Sequence, residues 1–256
     1  MIVHFFAAGG LLFAFEHSTP AGRFVIATLI AASLMSWSVI VSKRSEIALA
    51  RKQTARFLAK FRASRKPLQV FLSRETFHGS PLYEVYRAGC RELCFHLAGS
   101  TEIDETTSQR LAAAAPLTQT AFSAVEAALG REVGTQGLKL DARMIFLATA
   151  VSGGPFLGLL GTVWGVMDTF SDIAEAGKAS LAAMAPGVSG ALITTVTGLL
   201  VAIPAMFGYN YLVSTIRSMT VETDNFAAEL AAAFAHRYAS GEAHGDPLAR
   251  TAAGRE

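Results

Sequence analysis

The residues of this chain whose types and spacing suit chemistry are few, and most are hydroxyls. Thr162 lies in the run LGLLGTVWGVMDTF (157–170), and Thr194, Thr195 and Thr197 lie in LITTVTGLL (192–200). Hydroxyls at matched depth on two apolar helices suggest a wet, polar surface that lines a narrow path. Threonine does not titrate at biological pH, so it cannot itself hold a transported proton. Proton relays through membranes use Asp, Glu, Lys, Arg or His, and none stands near the middle of any long apolar run here. Either the chain conducts nothing, or another helix brings the carboxylate. Asp168 is the nearest acid, at the end of its run. It reads as an interfacial residue or as the entry point of a proton funnel.

Other chemistry is thin. Cys90 and Cys94 sit one helical turn apart with His96 close by. Two ligands and an off-face histidine fall short of a tetrahedral metal site, so no metal is expected. Two buried thiols in a reducing compartment is the better reading. There is no HExxH, no GxSxG, no phosphate loop and no mid-membrane acid pair. No catalytic residue and no cofactor are expected.

The elements that must position these hydroxyls follow from composition. Of 256 residues, 52% are hydrophobic and 16% charged, against about 25% charged in an ordinary soluble domain. Phe24 to Val41, Met144 to Met167 and Ala179 to Ile216 carry no charge, and each is long enough to cross a core that needs roughly 20 apolar residues. Sixteen of the 22 Lys and Arg residues lie between Lys43 and Arg143, and four more follow Ile216. The positive-inside rule then puts the N-terminus in the periplasm and the basic middle region in the cytoplasm.

The expected fold is an all-α membrane protein, three transmembrane helices extended into a cytoplasmic helical bundle. Its expected layout is a periplasmic or interfacial helix (1–22), span one (23–42), a cytoplasmic helical domain (43–142), span two (143–170), a periplasmic loop (171–184), span three (185–213), a cytoplasmic helix (214–240) and a disordered tail (241–256). Between Lys43 and Arg74, ten basic residues face one acid, Glu46, while Ile47, Ala50, Thr54, Phe57, Leu58 and Phe61 form one apolar face. This predicts an amphipathic helix leaving the membrane, its charge meeting anionic lipid headgroups. No aromatic interleaving or motif directs that charge to nucleic acid. Pro81 to His96 and Ala112 to Val133 predict two further helices.

Both later spans carry small residues on one side. Gly154, Gly158, Gly161 and Gly165 are spaced 4, 3 and 4, with Thr162 and Thr169 at the border. Gly187, Ala191, Thr195, Gly198 and Ala202 are spaced 4, 4, 3 and 4, with Thr194 flanking. Such stripes let helix backbones approach closely in lipid, so they read first as helix-packing seams. Pro186 suits a first helical turn, and Pro204 falls inside span three, where it predicts a kink.

GLLGTVWGVMDTF followed by MAPGVSGALITTVTGLLVAIPAMFGYNYL resembles the paired signature of the MotA/TolQ/ExbB proton-channel family, in its TolQ/ExbB branch. The likeness is densest over Pro155 to Tyr211. It extends more loosely to SWSVIVSKR and DNFAAELAAAFAHR, stretches that lean toward TolQ. The resemblance implies a homo-oligomeric inner-membrane ring, a pentamer, around the single spanning helices of a TolR/ExbD-like partner that supplies an aspartate. It implies that proton flow there energises a TolA/TonB-like protein, serving envelope integrity or outer-membrane transport. The family's pore-lining threonines fall on Thr162 and Thr195. Many relatives carry a glutamate where this chain has Gly190, and Asn or His where it has Asp168. The competing class is a membrane scaffold that uses the same stripes only for assembly.

Overall fold

The structure is a computed structural model, and it describes residues 18–64, 66–99, 116–177 and 180–238. The expected N-terminal helix, apart from its last residues, and the expected tail lie outside the described residues. Among those described the regular elements are helices: α1 (Pro20–Ala63), α2 (Gln69–Leu72), α3 (Pro81–Ala98), α4 (Gln119–Asp141), α5 (Met144–Ala176) and α6 (Leu181–Tyr238). Three of them, α1, α5 and α6, are long and apolar enough to cross a membrane.

Short polar side chains start α1, α3, α4 and α6. The Thr19 hydroxyl accepts from the Gly22 N–H at 3.2 Å, just ahead of Pro20. Ser80 accepts from the Tyr83 N–H, with Pro81 in the first turn. Thr118 and Ser180 do the same for Ala121 and Ala183. Each satisfies a backbone donor that the helix itself leaves orphaned. Gly99 and Gly177 end α3 and α5 in the left-handed conformation. Arg143, between α4 and α5, is also left-handed, with φ at 69°; this conformation costs a non-glycine residue about 1–2 kcal/mol.

Several boundaries differ from the sequence reading. α1 begins at Pro20 and runs unbroken past Lys43, and α6 runs unbroken from Leu181 to Tyr238. Polar composition after Val41 and Ile216 changes what the helix faces, not whether it is a helix. α4 starts at Gln119, after Pro116 and the Thr118 cap, and carries Gly130, Gly134 and Gly137 within it. Pro186 lies in the second turn of α6, because the Ser180 cap starts the helix earlier.

The chain divides into two compact units. One, the spanning unit, holds Met1–Ser45 with Asp141–Thr215. The other, the polar unit, holds Glu46–Leu140 with Ile216–Glu256. Its core is aromatic. Phe57 is wholly buried, and its ring centroid lies 5.2–5.7 Å from those of Phe61, Phe77, Tyr83, Tyr86 and Phe226. Leu230 and Phe234 of α6 close the same core. The face foreseen on α1 is the one it buries: Ile47, Ala50, Thr54 and Phe57 are all inside. The Tyr86 hydroxyl donates to the Pro67 carbonyl at 2.7 Å and accepts from the Phe71 N–H at 2.9 Å, tying α2 to α3.

Cys90 and Cys94 are buried against this core. Burial holds the Cys90 thiol well above its ordinary range and pushes Cys94 up to about 11. His96 pairs with Glu92 at 3.4 Å. Among the described residues no three His, Cys, Asp or Glu side chains gather into a possible metal site.

Candidate functional site: a hydroxyl cluster in a glycine seam

α5 and α6 pack antiparallel through their small residues. Gly154, Gly158, Gly161, Gly165 and Thr169 are the buried side of α5, and each meets α6 at short range. A Cβ added at Gly158 would lie 2.9 Å from the Thr194 carbonyl oxygen and from the Thr195 Cα. At Gly161 it would lie 2.7 Å from the Thr194 side chain, and at Gly165 2.8 Å from the Ala191 Cβ. At Gly198 it would lie 2.5 Å from the Gly154 carbonyl oxygen. Thr169 covers Gly187. These glycines therefore join two helices of one chain.

The buried face of α6 runs Ala191, Thr194, Gly198 and Ala202. That face keeps Ala191, Gly198 and Ala202 of the stripe read in the sequence, and Gly187 meets Thr169, but it buries Thr194 where the stripe had Thr195. From Ala191 to Ala202, spacings of 3, 4, 4 and of 4, 3, 4 both keep to one side of a helix, and the partner's shape decides between them. Thr194 faces the bare backbone at Gly158 and Gly161, where its hydroxyl finds carbonyls.

The result brings three of the predicted hydroxyls together. Thr162 Oγ1 lies 2.6 Å from Thr195 Oγ1 and 3.2 Å from Thr194 Oγ1. Two backbone carbonyls serve the group. The Gly158 carbonyl lies 2.9 Å from Thr194 Oγ1, 3.2 Å from Thr195 Oγ1 and 3.3 Å from Thr162 Oγ1. The Ala191 carbonyl lies 2.7 Å from Thr194 Oγ1 and 3.0 Å from Thr162 Oγ1. Thr194 is 0% exposed, so its hydroxyl meets any polar path only through Thr162. Thr162 and Thr195 are half-buried, on the edge of the seam.

The remaining polar groups stay apart. Thr197 donates to its own Ile193 carbonyl at 2.8 Å, the ordinary fate of a helical threonine. Asp168 is half-buried and makes no ion pair among the described residues. Gly190 is buried, with the Ser18 hydroxyl 3.5 Å from its carbonyl. Pro155 lies inside α5 and Pro204 inside α6. Each lacks the N–H that would serve the carbonyl one turn back. For Pro155 that carbonyl is Val151's, two turns before Gly158, a point the sequence reading passed over although the residue type announces it.

α5 and α6 thus form an antiparallel pair of long apolar helices with a hydroxyl cluster near the middle and, among the described residues, no titratable group beside it. Residues 99–225 match the MotA/TolQ/ExbB proton channel family. Over 229 residues the chain is 31% identical to the Tol-Pal system protein TolQ of Haemophilus influenzae, an alignment covering 86% of this chain and 91% of that protein. The chain belongs to the MotA/TolQ/ExbB proton channel family. It is also 33% identical over 190 residues to the Tol-Pal system protein TolQ of Pseudomonas aeruginosa, covering 73% of this chain and 76% of that one. The biopolymer transport protein ExbB of Salmonella typhimurium is 30% identical over 217 residues, covering 84% and 82%. Membership makes the chain a multi-pass inner-membrane protein of the TolQ/ExbB energising type. The family is one of channel subunits, not of enzymes.

Proposed function

We propose that this chain is the stator subunit of a proton-driven TolQ/ExbB-type motor, with its N-terminus periplasmic and its polar unit cytoplasmic. Five copies form a ring around the single spanning helices of a TolR/ExbD-like partner, and Thr162 and Thr195 line the path, steadied by Thr194. The partner supplies the aspartate, since the spans of this chain carry hydroxyls and no proton carrier. Protons are the only transported species, no cofactor takes part, and Asp168 marks the outer entry. Work drawn from about 2.3 kcal/mol per charge per 100 mV passes to a TolA/TonB-like protein, sustaining envelope integrity or outer-membrane transport.

The single observation that carries this reading is the half-buried Thr162–Thr195 pair, two hydroxyls 2.6 Å apart on different helices at mid-span. The scaffold alternative draws on the same cluster, because every one of its hydroxyls already has a partner inside the chain. Thr162→Val and Thr195→Val keep the shape and remove the hydroxyls. In membrane vesicles that hold the chain with its natural partners, proton flux should fall about tenfold or more, as expected when about 1–3 kcal/mol of hydrogen bonding is lost. Unchanged flux in both variants would favour the scaffold.

A further inference from the structure

Three hydroxyls share two carbonyls in the seam, and the sharing has a rule. Within an α-helix each carbonyl already accepts the N–H four residues on, and a carbonyl oxygen has two lone pairs. The Gly158 and Ala191 carbonyls therefore have room for one hydroxyl each. Thr194 Oγ1 reaches both, at 2.9 and 2.7 Å. Thr195 competes with it for Gly158 at 3.2 Å, and Thr162 competes with it for Ala191 at 3.0 Å and for Gly158 at 3.3 Å.

Three complete arrangements follow. When Thr194 donates to Gly158, Thr195 is displaced and donates to Thr162, which donates to Ala191. When Thr194 donates to Ala191, the Gly158 carbonyl is open, and either Thr162 donates to Thr195 and Thr195 to Gly158, or Thr195 donates to Thr162 and Thr162 to Gly158. Every hydroxyl proton is used once in each arrangement. Heavy atoms stay in place, since only O–H rotors turn, and no covalent bond changes. Where Thr162 donates to Thr195 the Thr162 oxygen keeps its lone pairs free, and where Thr195 donates to Thr162 the Thr195 oxygen does.

We infer that Thr194 is a positioning residue whose buried hydroxyl governs the direction of the Thr162–Thr195 hydrogen bond: donating to Gly158 it fixes Thr195 as the donor, and donating to Ala191 it leaves both directions open. It thereby decides whether α6 alone, or either helix, offers a free acceptor to a proton donor arriving at the edge of the seam. Complete burial suits this task, because water cannot take the Thr194 proton and only the seam's own acceptors compete for it. Gly158 and Gly161 are its structural condition, since a side chain at either would collide with the residue 194 neighbourhood. The inference rests on the channel reading above.

The test compares Thr194→Val, which keeps the shape, with Thr194→Ser, which keeps the hydroxyl, and Thr194→Ala, which adds no bulk. Proton flux is measured with a pH-sensitive dye in vesicles holding the chain and its natural partners, under gradients of both directions. Thermal melting of the purified chain in detergent is followed in parallel. Val and Ala should lower flux about tenfold and change the ratio between the two directions, and Ser should restore both to within about twofold. Adding Thr194→Val to Thr162→Val should lower flux no further. Wild-type flux and ratio in Thr194→Val and Thr194→Ala, with Thr162→Val impaired, would overturn the role of Thr194 and leave the channel reading standing. A folded Thr194→Ser as impaired as Val would assign the effect to methyl packing and overturn it too. Intact flux in Thr162→Val and Thr195→Val as well would bring down the channel reading itself.

Discussion

The two units hold themselves together by opposite means. In the polar unit, Phe57 touches five other aromatic rings, and the helices are held apart by the width of those side chains. In the spanning unit, α5 and α6 meet at backbone distance, with glycine against threonine and glycine against glycine. Water drives the first kind of contact, because burying apolar rings removes them from it. Lipid offers no such drive between helices, so close approach and hydrogen bonds replace it. The difference explains how three hydroxyls come together in the seam: a thick interface would hold Thr162, Thr194 and Thr195 away from each other and from the carbonyls they share.

That contrast can be broken most severely from the aromatic side. Phe57→Ala should destabilise the polar unit by about 3–5 kcal/mol, seen as rapid protease cleavage within residues 46–98 while the α5–α6 pair survives. Equal resistance of both regions would mean that Phe57 is not the hub its contacts describe.

A second test applies one substitution to both units. Gly198→Ala puts a methyl 2.5 Å from the Gly154 carbonyl, where only backbone can yield, and should cost about 1–3 kcal/mol. Gly89→Ala meets the tip of Leu129 at the same 2.5 Å, and a leucine terminus can turn aside. Melting curves in detergent should therefore fall further for Gly198→Ala. The reverse order would refute the backbone-contact account of the seam.

The smallest effect expected is one of pH. Burial raises the Cys94 thiol from 9.0 to about 11, so the folded state favours the protonated thiol. The stability this contributes is fully present below pH 9 and is lost as pH rises through about 11. Unfolding of the polar unit should steepen over that alkaline window, and Cys90→Ala with Cys94→Ala should flatten it. An unchanged slope would show the thiols to be solvated.

How much of this was legible in the chain depends on which physical signal each feature leaves. Three spans were readable because charge is so costly in lipid that its absence over twenty residues is conspicuous. The buried face of α1 was readable because 3.6-residue periodicity marks it. Helix ends were less so: α1 and α6 pass from apolar to polar composition without a break, and composition reports surroundings rather than backbone. The Thr194 and Thr195 roles were the hardest. Adjacent residues on a helix differ by only 100°, and both stripes are equally regular, so the choice belongs to the shape of α5, a long-range fact. Pro155 and Pro186 show the same limit, since a proline states which carbonyl loses its partner but not where the helix starts.

The polar unit's core is completed by Phe226, Leu230 and Phe234, residues near the end of α6 that follow the uncharged stretch of the last of the three long apolar helices. During synthesis the ribosome must therefore deliver every membrane segment before that core can close. Until then the rings around Phe57 have no lid, and the nascent protein carries a sticky, half-built bundle that invites chaperone holding. Insertion comes first and folding of the polar unit last, so a truncation shortly after Ile216 would leave inserted helices attached to a domain that never matures.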